Sequence, residues 1–186
     1  MGSLPDDEAE LQGDTGKVKV QHPPAPHPPN ALLMSSRTCL ITATMFGFLA
    51  VLLGAFGAHQ LSGPDGHLER AYRQAEDKNV AGMTMRASYK YYQDYQTSVR
   101  YHMWHALALA VIGLWKRERA SKALSIAAWS FTVGIVLFSG ALYLLVIAGP
   151  KFGGIPWGAI APIGGTALLT GWIAALVAAC QETSDT

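Results

Sequence analysis

Between Thr38 and Ala58 the chain runs for 21 residues without a charged side chain. At 1.5 Å per residue, a helix over that run is about 30 Å long, which matches the hydrocarbon layer of a bilayer. Charged residues gather in Met1–Arg37, Asp65–Arg100 and Lys116–Lys122, and apolar runs fill the intervals. The pattern predicts an all-α protein, a four-transmembrane-helix bundle with spans at about 38–58, 99–115, 123–148 and 157–179. The second span is set by length. Ala106–Trp115 alone is too short to cross, so the helix must recruit Tyr101–His105. The third is long enough to need tilt. Pro162 suits a first helical turn, so the fourth helix is expected to start near Ala161, with Trp157 at the interface.

The polar remainder divides into a tail, a loop and a short end. Residues 1–36 carry Asp6, Asp7, Glu8, Glu10 and Asp14, then the proline-rich run His22–Pro29. Such a segment is expected to be disordered, and its acidic start suits neither a secretory signal nor a transit peptide. The membrane domain covers 37–180, and 181–186 form a polar tail. The long first loop is expected to be partly helical, over Leu68–Lys78 and Arg86–Ser98. The second piece holds Tyr89, Tyr91, Tyr92 and Tyr95 and is predicted to lie on the membrane surface, tyrosines in the headgroup layer. Four spans place both termini on one side with the Lys116–Lys122 loop. That loop and Arg37 supply five basic residues near membrane ends, which favours the cytoplasmic or matrix side.

Small residues recur at helical spacing. Ala43, Gly47, Ala50, Gly54 and Ala58 form one stripe, and Ala167, Gly171, Ala175 and Ala179 another. Ser130 and Gly134 offer a third close-packing face. Gly57, Gly164 and Gly165 join Gly47, Gly54, Gly134 and Gly171 as helix-packing residues. Gly66, in the loop, is expected to tolerate a side chain. The two cysteines, Cys39 and Cys180, show no metal spacing and are expected to face lipid, with palmitoylation as the alternative.

A net charge of +1, with no basic block longer than a short loop, argues against nucleic acid. No span carries Asp, Glu, Lys or Arg, so no charge-coupled transport path is indicated. No nucleophile stands beside a base in a recognisable motif, so no enzyme and no cofactor are expected.

Three of the six histidines fall at span ends on one membrane face: His59 closing the first span, His102 and His105 opening the second. Asp65, Glu69, Asp94 and Tyr101 are nearby partners. Three readings stand. The imidazoles are interhelical hydrogen-bonding groups that lock the bundle. Or they hold a metal or haem iron. Or they form a proton relay or small-ligand pocket.

Several motifs carry a resemblance. Gly54-Ala55-Phe56-Gly57-Ala58-His59 closes the first span, and Tyr101-His102-Met103-Trp104-His105-Ala106-Leu107-Ala108-Leu109 opens the second. Leu137-Phe138-Ser139-Gly140 lies in the third; Ala161-Pro162-Ile163-Gly164-Gly165 and Gly171-Trp172 lie in the fourth. Over about Arg37–Ala179 the chain resembles the transmembrane protein 256-like family (domain of unknown function 423), small four-span membrane proteins. The resemblance implies a compact four-span bundle and no established activity. His59 and His105 fall on the family's usual histidines, and His102 where the family has glutamine or histidine. Ala161 stands where a threonine is often found. The proline-rich tail and the longer first loop are departures. The function expected is that of a structural or accessory membrane protein, in contact with the bilayer and with a membrane-protein partner or a second copy. The alternative is a histidine-lined site for a metal, haem or small ligand.

Overall fold

The computed structural model describes residues 33–119 and 121–182. The expectations for the acidic, proline-rich tail over 1–32 and for 183–186 lie outside the described residues.

Helix α1 spans Ser36–Phe56. Ser35 caps it, its hydroxyl accepting the Thr38 amide at 3.0 Å. The chain then widens into a π turn over Gly57–Leu61 without leaving the helical path. The first loop is shorter and differently built than the sequence suggested. Helix α2 covers only His67–Tyr72; residues 73–77 of the expected helix are turn and irregular chain, and a hairpin follows, β1 Lys78–Val80 against β2 Met83–Met85. Ala81 and Gly82, both at positive φ (52° and 81°), make its two-residue turn. Gly66 does not have the freedom expected of it. A Cβ there would lie 2.6 Å from the Leu61 carbonyl oxygen, so the turn into α2 requires glycine.

Helix α3 runs unbroken over Ala87–Glu118, 32 residues. The expected surface helix and the second span are one element. No glycine or proline interrupts 87–112. One buried row, Tyr95, Ser98, His102, His105, Leu109 and Ile112, continues through the expected break at alternating steps of three and four. Tyr95, expected among headgroups, is fully buried. The helix is about 48 Å long, so it outreaches the hydrocarbon layer. On its projecting end rest Tyr72, stacked on Tyr91 at 4.3 Å, and Glu69, which accepts from Arg86 (3.1 Å) and Ser88 (2.9 Å).

Helix α4 (Lys122–Gly134), a π turn (Ile135–Ser139) and α5 (Gly140–Ile147) form one rod. A glycine-rich turn with Gly149, Gly153 and Gly154 at positive φ leads into α6, Trp157–Glu182. Helix α6 begins at Trp157, not near Ala161, and Pro162 lies inside it. The buried row on α6 is Ala161, Gly164, Leu168, Gly171, Ala174 and Ala178, rather than Ala167, Gly171, Ala175 and Ala179. Steps of four turn 400° and drift off the packing line, whereas mixed steps of three and four hold it.

Helix α1 packs on α3, and the α4–α5 rod packs on α6; α3 also touches α4, the π turn and α5, joining the two hairpins. Among the described residues three rods are long and apolar enough to cross a membrane: Ser36–Leu61, Lys122–Ile147 and Trp157–Gln181. The polar first half of α3 sets it apart from them. The architecture is all-α apart from the small hairpin.

Candidate functional site

Side chains hold this bundle together by donating to the carbonyls of neighbouring helices. Ser36 Oγ donates to Gly113 O at 2.7 Å and Cys39 Sγ to Leu109 O at 3.2 Å, both from α1 to α3. Cys39 is therefore buried, not lipid-facing; Cys180 is exposed. In the other direction Tyr95 Oη donates to Leu53 O at 2.7 Å. Ser139, in the second π turn, donates to Ser98 O at 3.0 Å. A hydroxyl buried without a partner costs a few kcal/mol, and a carbonyl already bonded within its helix keeps a second lone pair for it.

The histidines belong to this pattern. His105 Nδ1 lies 2.8 Å from Tyr101 O, and Trp172 Nε1 lies 3.2 Å from His105 Nε2. Indole nitrogen only donates, so Nε2 must be the acceptor, and Nδ1 carries the hydrogen toward the carbonyl. The geometry fixes one neutral tautomer and uses both ring nitrogens. Phe131, fully buried, packs on both His105 (5.6 Å) and Trp172 (5.3 Å). His102 Nδ1 meets the Tyr143 hydroxyl of α5 at 3.2 Å, and Phe46 of α1 packs edge-on to its ring. His102 Nε2 is buried and has no partner among the described residues.

His59 does not join them. It is exposed on the first π turn, whereas His102 and His105 are buried. The extra residue per turn in a π segment rotates the residues beyond it away from the line a regular α-helix would keep. Among the described residues, no three His, Cys, Asp or Glu side chains come together to hold a metal, so His59, His102 and His105 are not one site. The expected acidic partners are engaged elsewhere: Glu69 with Arg86, and Asp94 with Lys90. His67, which the sequence did not single out, lies with Nε2 3.3 Å from Ile147 O and so closes the end of α5.

The glycines divide by what surrounds them. At Gly164 a Cβ would collide with the Phe138 amide nitrogen and sit 2.7 Å from the Leu137 carbonyl carbon. Gly134 meets Leu168 (Cγ 2.7 Å), Gly171 meets Phe131 (2.5 Å), and Gly57 meets the Tyr95 ring (Cδ1 2.9 Å). Gly54 and Gly165 sit at ordinary contact, 3.4 Å from Val99 and 3.8 Å from Phe138. Gly47 has nothing within 4 Å, so it is not a packing residue of this bundle. Gly113, which was missed, faces Leu40 at 2.9 Å. Its signal was its place one step beyond the buried row of α3.

Residues 53–165 match the model of the family described as "Protein of unknown function (DUF423)". The chain belongs to that family. The matched stretch runs from Leu53, which accepts from Tyr95, to Gly165, beside the closest backbone approach. Similar relatives include the UPF0382 membrane protein YwdK of Bacillus subtilis (strain 168), 37% identical over 145 residues, which are 76% of this chain and 95% of YwdK. The UPF0382 inner membrane protein YgdD of Escherichia coli (strain K12) is 32% identical over 148 residues, 80% of this chain and 93% of YgdD. The UPF0382 membrane protein SERP0230 of Staphylococcus epidermidis is 32% identical over 139 residues, 75% and 92% of the two chains. No solved structure matches the chain. Family and apolar rods together make it a multi-pass membrane protein of unknown molecular function.

Proposed function

We propose a four-span bundle with a structural or accessory role in its membrane, in which His102 and His105 are fasteners between helices and not ligands of a cofactor. The observation that carries this is His105. Both of its nitrogens are taken by the protein's own groups, one of them across helices by Trp172. A metal at Nε2 would have to displace the indole hydrogen bond.

The fourth crossing is the second half of α3. Opposite its buried row stand Trp104, Leu107, Val111 and Leu114, all more than half exposed and spaced at three and four. An exposed apolar stripe of this kind belongs against lipid. Four crossings place the described ends of α1 and α6 on one side with the Lys116–Lys122 loop, and the positive-inside rule makes that side cytoplasmic or matrix.

A double-mutant cycle with metal analysis tests the fastener reading. His105→Leu and Trp172→Phe should each lower the melting temperature in detergent. Their coupling should be on the order of 0.5–1.5 kcal/mol, the range of interhelical hydrogen bonds. Wild type should contain no stoichiometric metal and no haem absorption. Bound metal or haem lost in the His105→Leu variant would overturn the reading in favour of the cofactor site.

A further inference from the structure

The starts of α1 and α4 and the end of α3 surround a cavity of about 410 Å³. Leu33 and Met34 give it an apolar wall, and Lys116 and Lys122 line it from the loop side. Both α1 and α4 begin rods long and apolar enough to cross, so the cavity lies where hydrocarbon gives way to headgroups. Lys116 Nζ donates to Ser125 Oγ at 2.6 Å, which leaves two of its three hydrogens for another acceptor. Among the described residues no carboxylate lies within 4.0 Å of either lysine. At the opposite end of the bundle Arg86 pairs with Glu69 and Lys90 with Asp94. An ammonium drawn partly out of water without a counter-ion is unfavourable, and burial pushes Lys116 below the ordinary lysine value. The lining hydroxyls are committed: Ser35 and Ser121 cap their helices and Ser36 bonds to Gly113 O. The two ammonium groups are what the cavity offers a ligand, and the positive ends of α1 and α4 add to them.

We propose that this cavity binds the phosphate headgroup of an anionic phospholipid, with Lys116 and Lys122 as charge partners and the Leu33–Met34 wall against the upper acyl chain. A basic pocket between membrane helices, apolar on one side, is suited to that chemistry. A simple surface patch would not need Lys116 to be half-buried. The inference does not depend on which side of the membrane this end faces.

The test uses the full chain in detergent, with native mass spectrometry against phosphatidylglycerol, phosphatidylcholine and inorganic phosphate. Wild type should prefer phosphatidylglycerol over phosphatidylcholine by about tenfold or more, and Lys116→Gln/Lys122→Gln should remove that preference. Lys116→Arg/Lys122→Arg should keep it, and Arg117→Gln, an exposed charge in the same loop, should leave it unchanged. Because Lys122 is exposed, Lys122→Gln alone should fold and should weaken phosphatidylglycerol binding by a few-fold. Equal loss in Arg117→Gln would reduce the site to general surface charge and overturn the proposal. Lysine-dependent binding of inorganic phosphate as tight as that of the lipid would assign a free-phosphate site instead. Lipid binding that appears only after Asp6, Asp7, Glu8, Glu10 and Asp14 are neutralised would assign the lysines to the chain's own acidic tail.

Discussion

Gly164→Leu is expected to leave no folded bundle, and Gly164→Ala to lower stability by about 3 kcal/mol. The reason is what lies opposite. A Cβ at Gly164 would meet the backbone of Leu137 and Phe138, in the π turn of the α4–α5 rod. A side chain in the way can rotate, but backbone cannot, so α6 and the rod would have to separate. Separation would loosen two further approaches on the same face, Gly134 against Leu168 and Gly171 against Phe131. Within a bilayer, close van der Waals packing is much of what holds helices together, because lipid tails compete for the same apolar surface. Gly47→Ala is the internal control. It meets nothing within 4 Å and exchanges a poor helix former for the best one, so it should be neutral or stabilising by up to about 1 kcal/mol. Thermal unfolding of the detergent-purified variants checks both. If Gly164→Ala melted no lower than Gly47→Ala, the close approach of α6 to the π turn would be wrong.

Tyr95→Ala should cost about 3–5 kcal/mol, as truncation of a buried aromatic does. Tyr95 is fully buried, donates to Leu53 O at 2.7 Å, lies 5.2 Å from the Tyr143 ring and fills the space that Gly57 leaves open. Tyr95→Phe, which keeps the ring and loses the hydroxyl, should cost about 1 kcal/mol. The partner substitution makes the argument specific. Gly57→Ala should destabilise the wild type, because the ring stands in the Cβ position, and should be nearly neutral beside Tyr95→Leu. The same stability series reads the coupling, and strictly additive effects would mean that the first π turn does not depend on Tyr95.

The apolar rods were legible because length and the absence of charge are one-dimensional properties. Ser36–Leu61, Lys122–Ile147 and Trp157–Gln181 declare themselves by composition. The continuity of α3 was not legible, because its composition changes from polar to apolar at about Val99 while its packing row does not change at all. Tyr95 shows the cost of judging by residue type. Tyrosine favours the headgroup layer in general, but this one is placed by a glycine more than thirty residues away in sequence. The two π turns left no local signature, and they decide which side His59 and Ser139 present. His102 and His105 stand out in the sequence, but their partners, Tyr143 and Trp172, lie on other rods and cannot be read from spacing. Gly47 and Gly54 stand on the same small-residue stripe, and only the structure separates open space from a 3.4 Å contact.

The most direct test of the four-span reading is where the two ends of the chain lie. A short protease-sensitive tag would be placed at each terminus in turn, and sealed membrane vesicles of known orientation treated with protease. If the second half of α3 crosses with the three apolar rods, both tags will be cut from the same side, together with a site introduced in the Lys116–Lys122 loop, while one at Lys151 will be protected. Tags cut from opposite sides would mean an odd number of crossings and would contradict the four-span bundle.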